Sequence, residues 1–328
     1  MVATSVYQER FNLLPQKHKR DLQVMCVLTI RLGEEHNRTD RLFSKSKLVI
    51  SYIGGKSKIS KWIIPHIPTN IETYVEPFGG MFWVFFNLDL TKYPNLKQVV
   101  YNDFNSLNTN LFNCVKQYDE MYERLSVIPI QQKGIVEDPT IYINIFKEYQ
   151  QEIFSPDLII TDENRMDIAV KYVYVLAQIY SGARPNTATY MYYKGKYGSK
   201  VKSFMNKLKS SKFRKQFDRI TFTENLDYNE VIDKYDSPTT YFYIDPPYFK
   251  LEKYYSNHQF GVQQHICLAN KVKEIKGHFS LSYYEFDELG VWFPKDEYGW
   301  STKDFSKASA AKKGAKQNQA TELLIYNL

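Results

Sequence analysis

Short apolar runs alternate with amphipathic stretches along most of the chain after about residue 48. The runs ETYVEPF, KQVVYNDFN, TTYFYIDPPY and HFSLSYYE are rich in β-branched and aromatic residues, which is typical of buried strands. Stretches such as SLNTNLFNCVKQYDEMYERL and VQQHICLANKVKEIKG place apolar residues at helical spacing. Strands that alternate with helices predict an α/β fold with a mostly parallel sheet and helices on both of its faces.

The same pattern divides the chain into three parts. Residues 1–47 are charged and irregular and form an N-terminal extension whose role the sequence does not reveal. Residues 48–135 and 218–328 carry the α/β pattern, in which MFWVFFNLDL is expected to be a buried helix and ATELLIYNL a terminal strand. Residues 136–217 interrupt this pattern with helical stretches, followed by a segment that is dense in Lys, Tyr and Gly, which we call the basic segment, residues 184–215.

Composition narrows the class of protein. Lys and Arg total 43 against 36 acidic residues, which gives a net charge of +7 and suits a polyanionic partner. The 27 Tyr and 21 Phe supply flat surfaces on which rings can stack. The three cysteines are scattered and the six histidines lack metal-ligand spacing, so we expect a reducing cytoplasm and no metal site. No apolar run is long enough to span a bilayer.

The segment YIDPPY ends a strand on a carboxylate. The two prolines after Asp245 have no N–H to donate, so the strand cannot continue its ladder. In an open α/β sheet, ligands bind outside the carboxyl ends of the strands. The Asp245 carboxylate and a neighbouring carbonyl are two acceptors that can bind an exocyclic amine, and Tyr248 offers a ring for stacking. The alternative is a strand-ending turn with a satisfied Asp.

Three further segments place small or acidic residues at the ends of predicted strands or before helices. VEPFGG, residues 75–80, is a turn in which glycines let the backbone approach a ligand, or a simple tight turn. Asp103 in YNDFN suits the hydroxyls of a ribose, or caps the helix that follows. YIGGK, residues 52–56, can bind an anionic group, and it lacks the spacing of an ATPase P-loop.

YIGGK, VEPFGG, YNDFN, the basic segment and YIDPPY occur in that order, and the ordered set resembles the DNA adenine methylase family, the alpha group of N6-adenine DNA methyltransferases. The resemblance covers roughly residues 48–328 and extends to LSYYE and ELLIYNL as later strands. It implies a class I Rossmann-like methyltransferase sheet with an inserted, mainly helical target-recognition region. It also implies S-adenosylmethionine as the cofactor and double-stranded DNA as the partner.

The resemblance also implies roles for individual residues. The catalytic residues would be Asp245, Pro246, Pro247 and Tyr248. The cofactor-binding residues would be Tyr52, Gly55, Lys56, Glu76, Pro77, Phe78, Gly79, Gly80, Asp103, Asp227 and Asp245, with Asp103 on the ribose and Asp227 near the cofactor adenine. The chain departs from the family after the second glycine, where Phe82 and Trp83 replace small residues. Either their bulk crowds the methionine end of the cofactor or, as we favour, the helix starts one turn earlier in this subgroup.

The basic segment is the predicted DNA-binding surface. Cations there would neutralise phosphates, and polar side chains would read base edges. The residues that we expect to contact DNA are Arg184, Asn186, Tyr193, Lys194, Lys196, Lys200 and Lys202. A solvated basic face is the alternative interpretation when this segment is considered without the catalytic motifs.

The leading hypothesis is therefore the transfer of a methyl group from S-adenosylmethionine to the exocyclic nitrogen of a flipped adenine in DNA. The alternatives are methylation of RNA or of the cytosine amine, and a catalytically silent DNA-binding homologue. We expect a monomer, in a bacterium or a phage-infected cell. The sequence leaves open the recognition site and whether a cognate restriction endonuclease exists.

Overall fold

A mixed β-sheet forms the centre of the part of the chain that this computed structural model describes, residues 55–179, 183–249, 260–306 and 319–327. Within those residues the sheet has seven strands in the order β3-β2-β1-β4-β5-β7-β6. The strands are β1 (Thr73–Glu76), β2 (Gln98–Asn102), β3 (Phe222–Glu224), β4 (Thr240–Ile244), β5 (His278–Tyr283), β6 (Tyr298–Ser306) and β7 (Gln319–Asn327). This sheet confirms the predicted α/β class.

Strands β1 to β5 are parallel, and β7 runs antiparallel to both β5 and β6. The chain proceeds outwards from β1 through β2 to β3 and then returns to place β4 on the other side of β1. The strand order therefore reverses between β1 and β4. In open α/β sheets, ligands bind in the crevice outside the carboxyl ends of the strands at such a reversal.

Alternating side chains of the central strands fill a core on each face of the sheet. On β4, Tyr241 and Tyr243 lie in one core, and Phe242 and Ile244 lie in the other. Every residue of β4 is buried, as expected for a parallel strand with helices on both faces. The α-helices of the described residues are α1 (Ser60–Ile63), α2 (Ser106–Val115), α3 (Tyr118–Ser126), α4 (Thr140–Ile153), α5 (Arg165–Gln178), α6 (Lys200–Leu208), α7 (Ser211–Phe217), α8 (Tyr228–Tyr235), α9 (Val262–Lys273) and α10 (Leu289–Trp292).

The segment MFWVFFNLDL is not the buried helix that its apolar residues suggested. It contains short 3₁₀ turns at Phe85–Asn87 and Leu90–Lys92. Gly80 and Phe82 have left-handed backbone conformations, with φ of 49° and 54°, which an α-helix cannot contain. The Phe82 ring is fully buried in the core, 5.2 Å from the Tyr101 ring.

Four helices, α4 to α7, occupy most of residues 136–217. They share a hydrophobic core with the sheet, because Phe146, Tyr172 and Phe204 belong to the same cluster as Tyr74 and Tyr101. None of the helices in the described residues is long and apolar enough to cross a membrane. The predicted N-terminal extension, residues 1–47, and the predicted cofactor residue Tyr52 lie outside the described residues.

Candidate active site

Asp245 lies at the carboxyl end of β4, beside the point where the strand order reverses. The strand ends at Ile244, and the buried prolines Pro246 and Pro247 follow the carboxylate. Because proline has no N–H, the ladder cannot continue past Asp245. The Asp245 side chain remains 18% exposed, so solvent or a ligand can reach it.

Lys56 connects Asp245 to a second carboxylate. Its ammonium Nζ lies 2.8 Å from Oδ1 of Asp245 and 3.2 Å from Oε1 of Glu322. Lys56 and Glu322 are both buried, Glu322 with only 1% of its side chain exposed. Burial raises the pKa of Asp245 to about 6, with Lys56 opposing the rise and the charge of Glu322 adding to it. Asp245 is therefore largely ionised at neutral pH.

Side chains of three other residues contact Tyr248. Its hydroxyl donates a hydrogen bond to Oε1 of Glu322. The Lys56 ammonium lies 4.8 Å from the centre of the Tyr248 ring, and the Tyr284 ring contacts it edge-on at 4.6 Å. Burial, together with the charges of Asp245 and Glu322, raises the pKa of the Tyr248 phenol well above its ordinary value, so the phenol stays a donor. Only 7% of Tyr248 is exposed.

Glu76 and Gly79 fix the conformation of the loop after β1. Glu76 is buried and accepts hydrogen bonds from the Tyr74 hydroxyl at 2.6 Å and from the N–H of Phe85 at 3.2 Å. Burial raises the pKa of Glu76 well above its ordinary value. A Cβ on Gly79 would lie 2.6 Å from the Tyr101 ring, so only glycine lets the loop approach β2 this closely.

Pro77 and Phe78 occupy the turn between Glu76 and the glycines. The Pro77 carbonyl accepts a 2.7 Å hydrogen bond from the side-chain amide of Asn102, at the end of β2. The Phe78 ring is stacked on Tyr228 of α8, with ring centres 5.5 Å apart. The turn is therefore fixed to both β2 and α8.

Asp103 follows β2 and accepts hydrogen bonds from three directions. The N–H of Gly80 donates to Oδ2 at 2.8 Å, the Asn108 amide donates to Oδ2 at 3.0 Å, and the N–H of Asn105 donates to Oδ1 at 2.8 Å. The capping of α2 is performed by Asn105, whose side chain accepts from the N–H of Leu107. Asp103 is thus not the helix cap that the alternative interpretation required. Phe104 beside it is 56% exposed.

Asp227 is the N-cap of α8. Its carboxylate accepts from the N–H of Asn229 at 2.9 Å, and Glu230 completes a capping box. The neighbouring Leu226 donates its N–H to the Asn102 side chain at 3.0 Å. Asp227 is therefore fixed near the end of β2 by a structural role of its own.

The predicted DNA-contacting residues lie before and within α6. Asn186, Lys194, Lys196 and Lys202 are exposed, whereas Arg184, Tyr193 and Lys200 are half-buried. The Lys196 ammonium lies 5.4 Å from the centre of the Tyr197 ring, which packs edge-on against Tyr193. Burial lowers the pKa of Lys200.

The structure brings Lys56, Asp245 and Tyr248 together, with Gly55 next to Lys56 in the chain. Sequence analysis did not identify Glu322, which completes this group. The signal was present, because Glu322 is a carboxylate within the otherwise apolar run ATELLIYNL. Phe104 and Asn108, beside Asp103, were also not identified.

Two comparisons with known proteins bear on this arrangement. Residues 52–308 match the family model described as D12 class N6 adenine-specific DNA methyltransferase. The chain is also 23% identical over 234 residues to the type II methyltransferase M.CviBI of Paramecium bursaria Chlorella virus NC1A, an alignment that covers 70% of this chain and 80% of that protein.

Proposed function

Because the chain belongs to the D12 class of N6 adenine-specific DNA methyltransferases, we propose that it transfers the methyl group of S-adenosylmethionine to an adenine flipped out of double-stranded DNA. Methylation of DNA adenine is the activity of the class. The methyl donor, the flipped base and the roles of individual residues are the parts that we propose. The observation that carries the proposal is the Lys56–Asp245 pair at the carboxyl end of β4.

The residues beside the β1–β4 reversal fit this cofactor. The Asp103 carboxylate is an acceptor suited to ribose hydroxyls, and it lies beside the N–H of Gly80. The exposed ring of Phe104 offers a surface for the cofactor adenine, and the loop of Glu76 to Gly80 would hold the methionine end. When bound, S-adenosylmethionine would supply a methyl group made electrophilic by its sulfonium.

Asp245 and the Pro246 carbonyl would bind the target amine. The amine of adenine is a weak nucleophile because its lone pair is delocalised into the ring. When these two fixed oxygens accept hydrogen bonds from both N–H groups of the amine, they draw its nitrogen towards tetrahedral geometry and localise that lone pair. Asp245 can accept in this way because its pKa of about 6 leaves it ionised at neutral pH, while its surroundings remain largely dry.

Lys194, Lys196 and Lys202 would contact DNA phosphates, since their side chains are exposed on the basic segment. Arg184, Asn186 and Tyr193 are proposed as contacts to bases or sugars, and Lys200 as a weaker phosphate contact because it is half-buried. Residues 136–217 would then be the target-recognition region.

The proposal is tested with S-adenosylmethionine that carries a tritiated methyl group. Purified protein is incubated with DNA from cells that lack adenine methylation, and the digested nucleosides are separated. We expect the label in N6-methyladenine, and sequencing of modified adenines then gives the recognition site. Label in cytosine or in an RNA copy would favour the alternative substrates.

A matched Asp245→Asn variant separates catalysis from binding. It keeps the shape of the side chain and removes the charge, so we expect transfer to fall by at least about a hundredfold while calorimetry shows nearly unchanged affinity for the cofactor. A wild-type protein that binds DNA but gives no heat with S-adenosylmethionine would be a silent homologue, and the proposal would be wrong.

A further inference from the structure

Lys56 engages both groups that a flipped adenine is proposed to use. Its ammonium donates to Oδ1 of Asp245 over 2.8 Å and lies 4.8 Å from the centre of the Tyr248 ring. An adenine amine that hydrogen-bonds to Oδ1 of Asp245 competes with this ammonium for the same oxygen. A base bound at Oδ1 therefore needs a second place for the charge of Lys56.

Glu322 provides that place. Its Oε1 is already 3.2 Å from the Lys56 ammonium, so a small shift of the lysine exchanges its contact with Asp245 for one with Glu322. The same oxygen accepts the Tyr248 hydroxyl, which ties the ring to β7 while the lysine moves. Glu322 lies on β7, between β5 and the edge strand β6; it is opposite Lys303 of β6 and one residue before Leu323, which pairs with Tyr283 of β5.

We propose that Glu322 is a positioning residue of the methyl-transfer site, which receives the Lys56 ammonium when the target amine displaces it from Asp245. A buried ammonium that loses its carboxylate partner is strongly unfavourable, and Glu322 prevents that loss. The inference rests on the proposed function, since it assumes that an adenine amine binds Asp245.

Among the described residues, a small set of ionisable side chains surrounds Glu322. The ionisable side chains that face this group from neighbouring elements are Lys56, Glu76 after β1, Tyr243 and Asp245 on β4, Tyr248 after β4, and Tyr284 after β5. Burial raises the pKa values of the tyrosines and of Glu76, which favours their neutral forms, so Lys56, Asp245 and Glu322 are the main charges among these side chains.

The test measures how much the amine of the target adenine contributes to DNA affinity. Duplexes that carry either adenine or purine, which lacks the amine, at the target position compete for the protein, and the ratio of affinities isolates the amine contact. In Glu322→Gln the phenol keeps an acceptor but the lysine loses its second carboxylate. We expect the preference for adenine over purine to fall about tenfold, the size of one charge-assisted hydrogen bond.

Two further readouts show whether Glu322 receives the Lys56 ammonium or has a merely structural role. In a Lys56→Met background no ammonium needs to move, so Glu322→Gln should change the adenine preference by less than about twofold. Glu322→Gln alone should also shift the acidic limb of kcat/KM to lower pH, because the charge of Glu322 raises the pKa of Asp245. Equal effects of Glu322→Gln in both backgrounds, or an unchanged adenine preference, would overturn the inference.

The chain offers a matched control and a second variant. Glu224 of β3 likewise accepts hydrogen bonds from a lysine, Lys234 at 2.9 Å, and from a tyrosine, Tyr235 at 2.5 Å. Glu224→Gln therefore makes the same chemical change away from Asp245 and should leave the adenine preference unaltered.

If Glu322→Gln does not fold, Glu322→Asp is the second variant. It keeps the charge and should retain the wild-type acidic limb of kcat/KM; a shifted limb in this variant refutes the inference. Absence of methylation by the wild-type protein refutes the proposed function instead, and the inference with it.

Discussion

The N–H of Gly80 donates to Oδ2 of Asp103 over 2.8 Å, which joins the loop after β1 to the residue that follows β2. Gly80 can make this contact because it adopts a left-handed conformation, with φ of 49°. The proposed methionine-side loop and the proposed ribose acid are therefore one hydrogen-bonded unit. A change at Asp103 should affect both ends of the cofactor site.

Asp103→Asn should weaken S-adenosylmethionine binding by about 10- to 100-fold, because the neutral amide loses charge-assisted hydrogen bonds. It should leave DNA binding without cofactor nearly unchanged. Calorimetry with the cofactor and a fluorescence binding assay with DNA measure the two quantities. Asp236→Asn is a useful comparison, since Asp236 accepts hydrogen bonds from the N–H groups of Lys276 at 3.0 Å and Gly277 at 3.1 Å before β5, outside the proposed cofactor site. Equal losses of cofactor affinity in both variants would argue against a special role for Asp103.

Helix α5 reaches Asp103 through a buried chain of hydrogen bonds. Tyr172 donates to Oδ1 of Asn108 at 2.8 Å, and the Asn108 amide donates to Asp103 at 3.0 Å. Tyr172→Phe leaves the buried Oδ1 of Asn108 without this donor. We expect the free energy of unfolding to fall by about 1–3 kcal/mol and the cofactor affinity to fall several-fold.

The control for Tyr172→Phe lies on the same helix. Tyr174 is equally buried, and its hydroxyl donates to the Pro129 carbonyl at 3.3 Å, away from Asp103. Tyr174→Phe should lower the stability without lowering the cofactor affinity. Chemical denaturation and calorimetry on both variants test this, and equal cofactor affinities in the two would show that the chain of hydrogen bonds does not reach the site.

The sequence predicts the structure around Asp245 well where local features of the chain determine it. The prolines after Asp245 end β4 whatever surrounds them, and the continuous apolar run of residues 241–244 indicates a strand buried on both faces. The prediction fails where distant contacts decide. The aromatic run after Gly80 looks helical, but packing of Phe82 against Tyr101 and Phe112 stabilises a left-handed backbone there. Glu322 lies on β7, and only the folded sheet brings it to Lys56 near the other end of the described chain.

The pH dependence of methyl transfer should report Asp245. Burial raises its pKa to about 6, and the amine contact requires the ionised form. We expect kcat/KM to be level above pH 7 and to fall about tenfold per pH unit well below 6. Since Lys56 lowers this pKa, Lys56→Met should move the acidic limb to higher pH. An acidic limb near pH 4 in the wild-type protein would contradict this assignment.

Asp245→Asn should stabilise the fold at neutral pH, because Glu322, 3.2 Å from the Lys56 ammonium, keeps this buried charge paired when the Asp245 charge is removed. The folded-state pKa of Asp245, about 6, lies above the ordinary value of 3.8, so folding favours the protonated form and the ionised carboxylate lowers stability at higher pH. A shift of this size corresponds to roughly 2–3 kcal/mol, of which the Asn variant should recover a part. The gain should be present at pH 8 and disappear as the pH falls from 6 towards 4. Thermal unfolding at both pH values measures it, and a less stable variant at pH 8 would contradict the prediction.

Exposed lysines of the basic segment should determine the salt dependence of DNA binding. Each phosphate contact that is lost reduces the slope of log K against log salt by about 0.9. We therefore expect Lys194→Gln, Lys196→Gln and Lys202→Gln each to weaken binding to all sequences and to flatten this slope. The control is Lys276→Gln, because Lys276 is exposed before β5 at the amino edge of the parallel strands, away from Asp245. Salt titrations of duplex binding measure the slopes, and a control as strongly affected as the segment variants would show that the net charge of the protein, rather than this surface, attracts DNA.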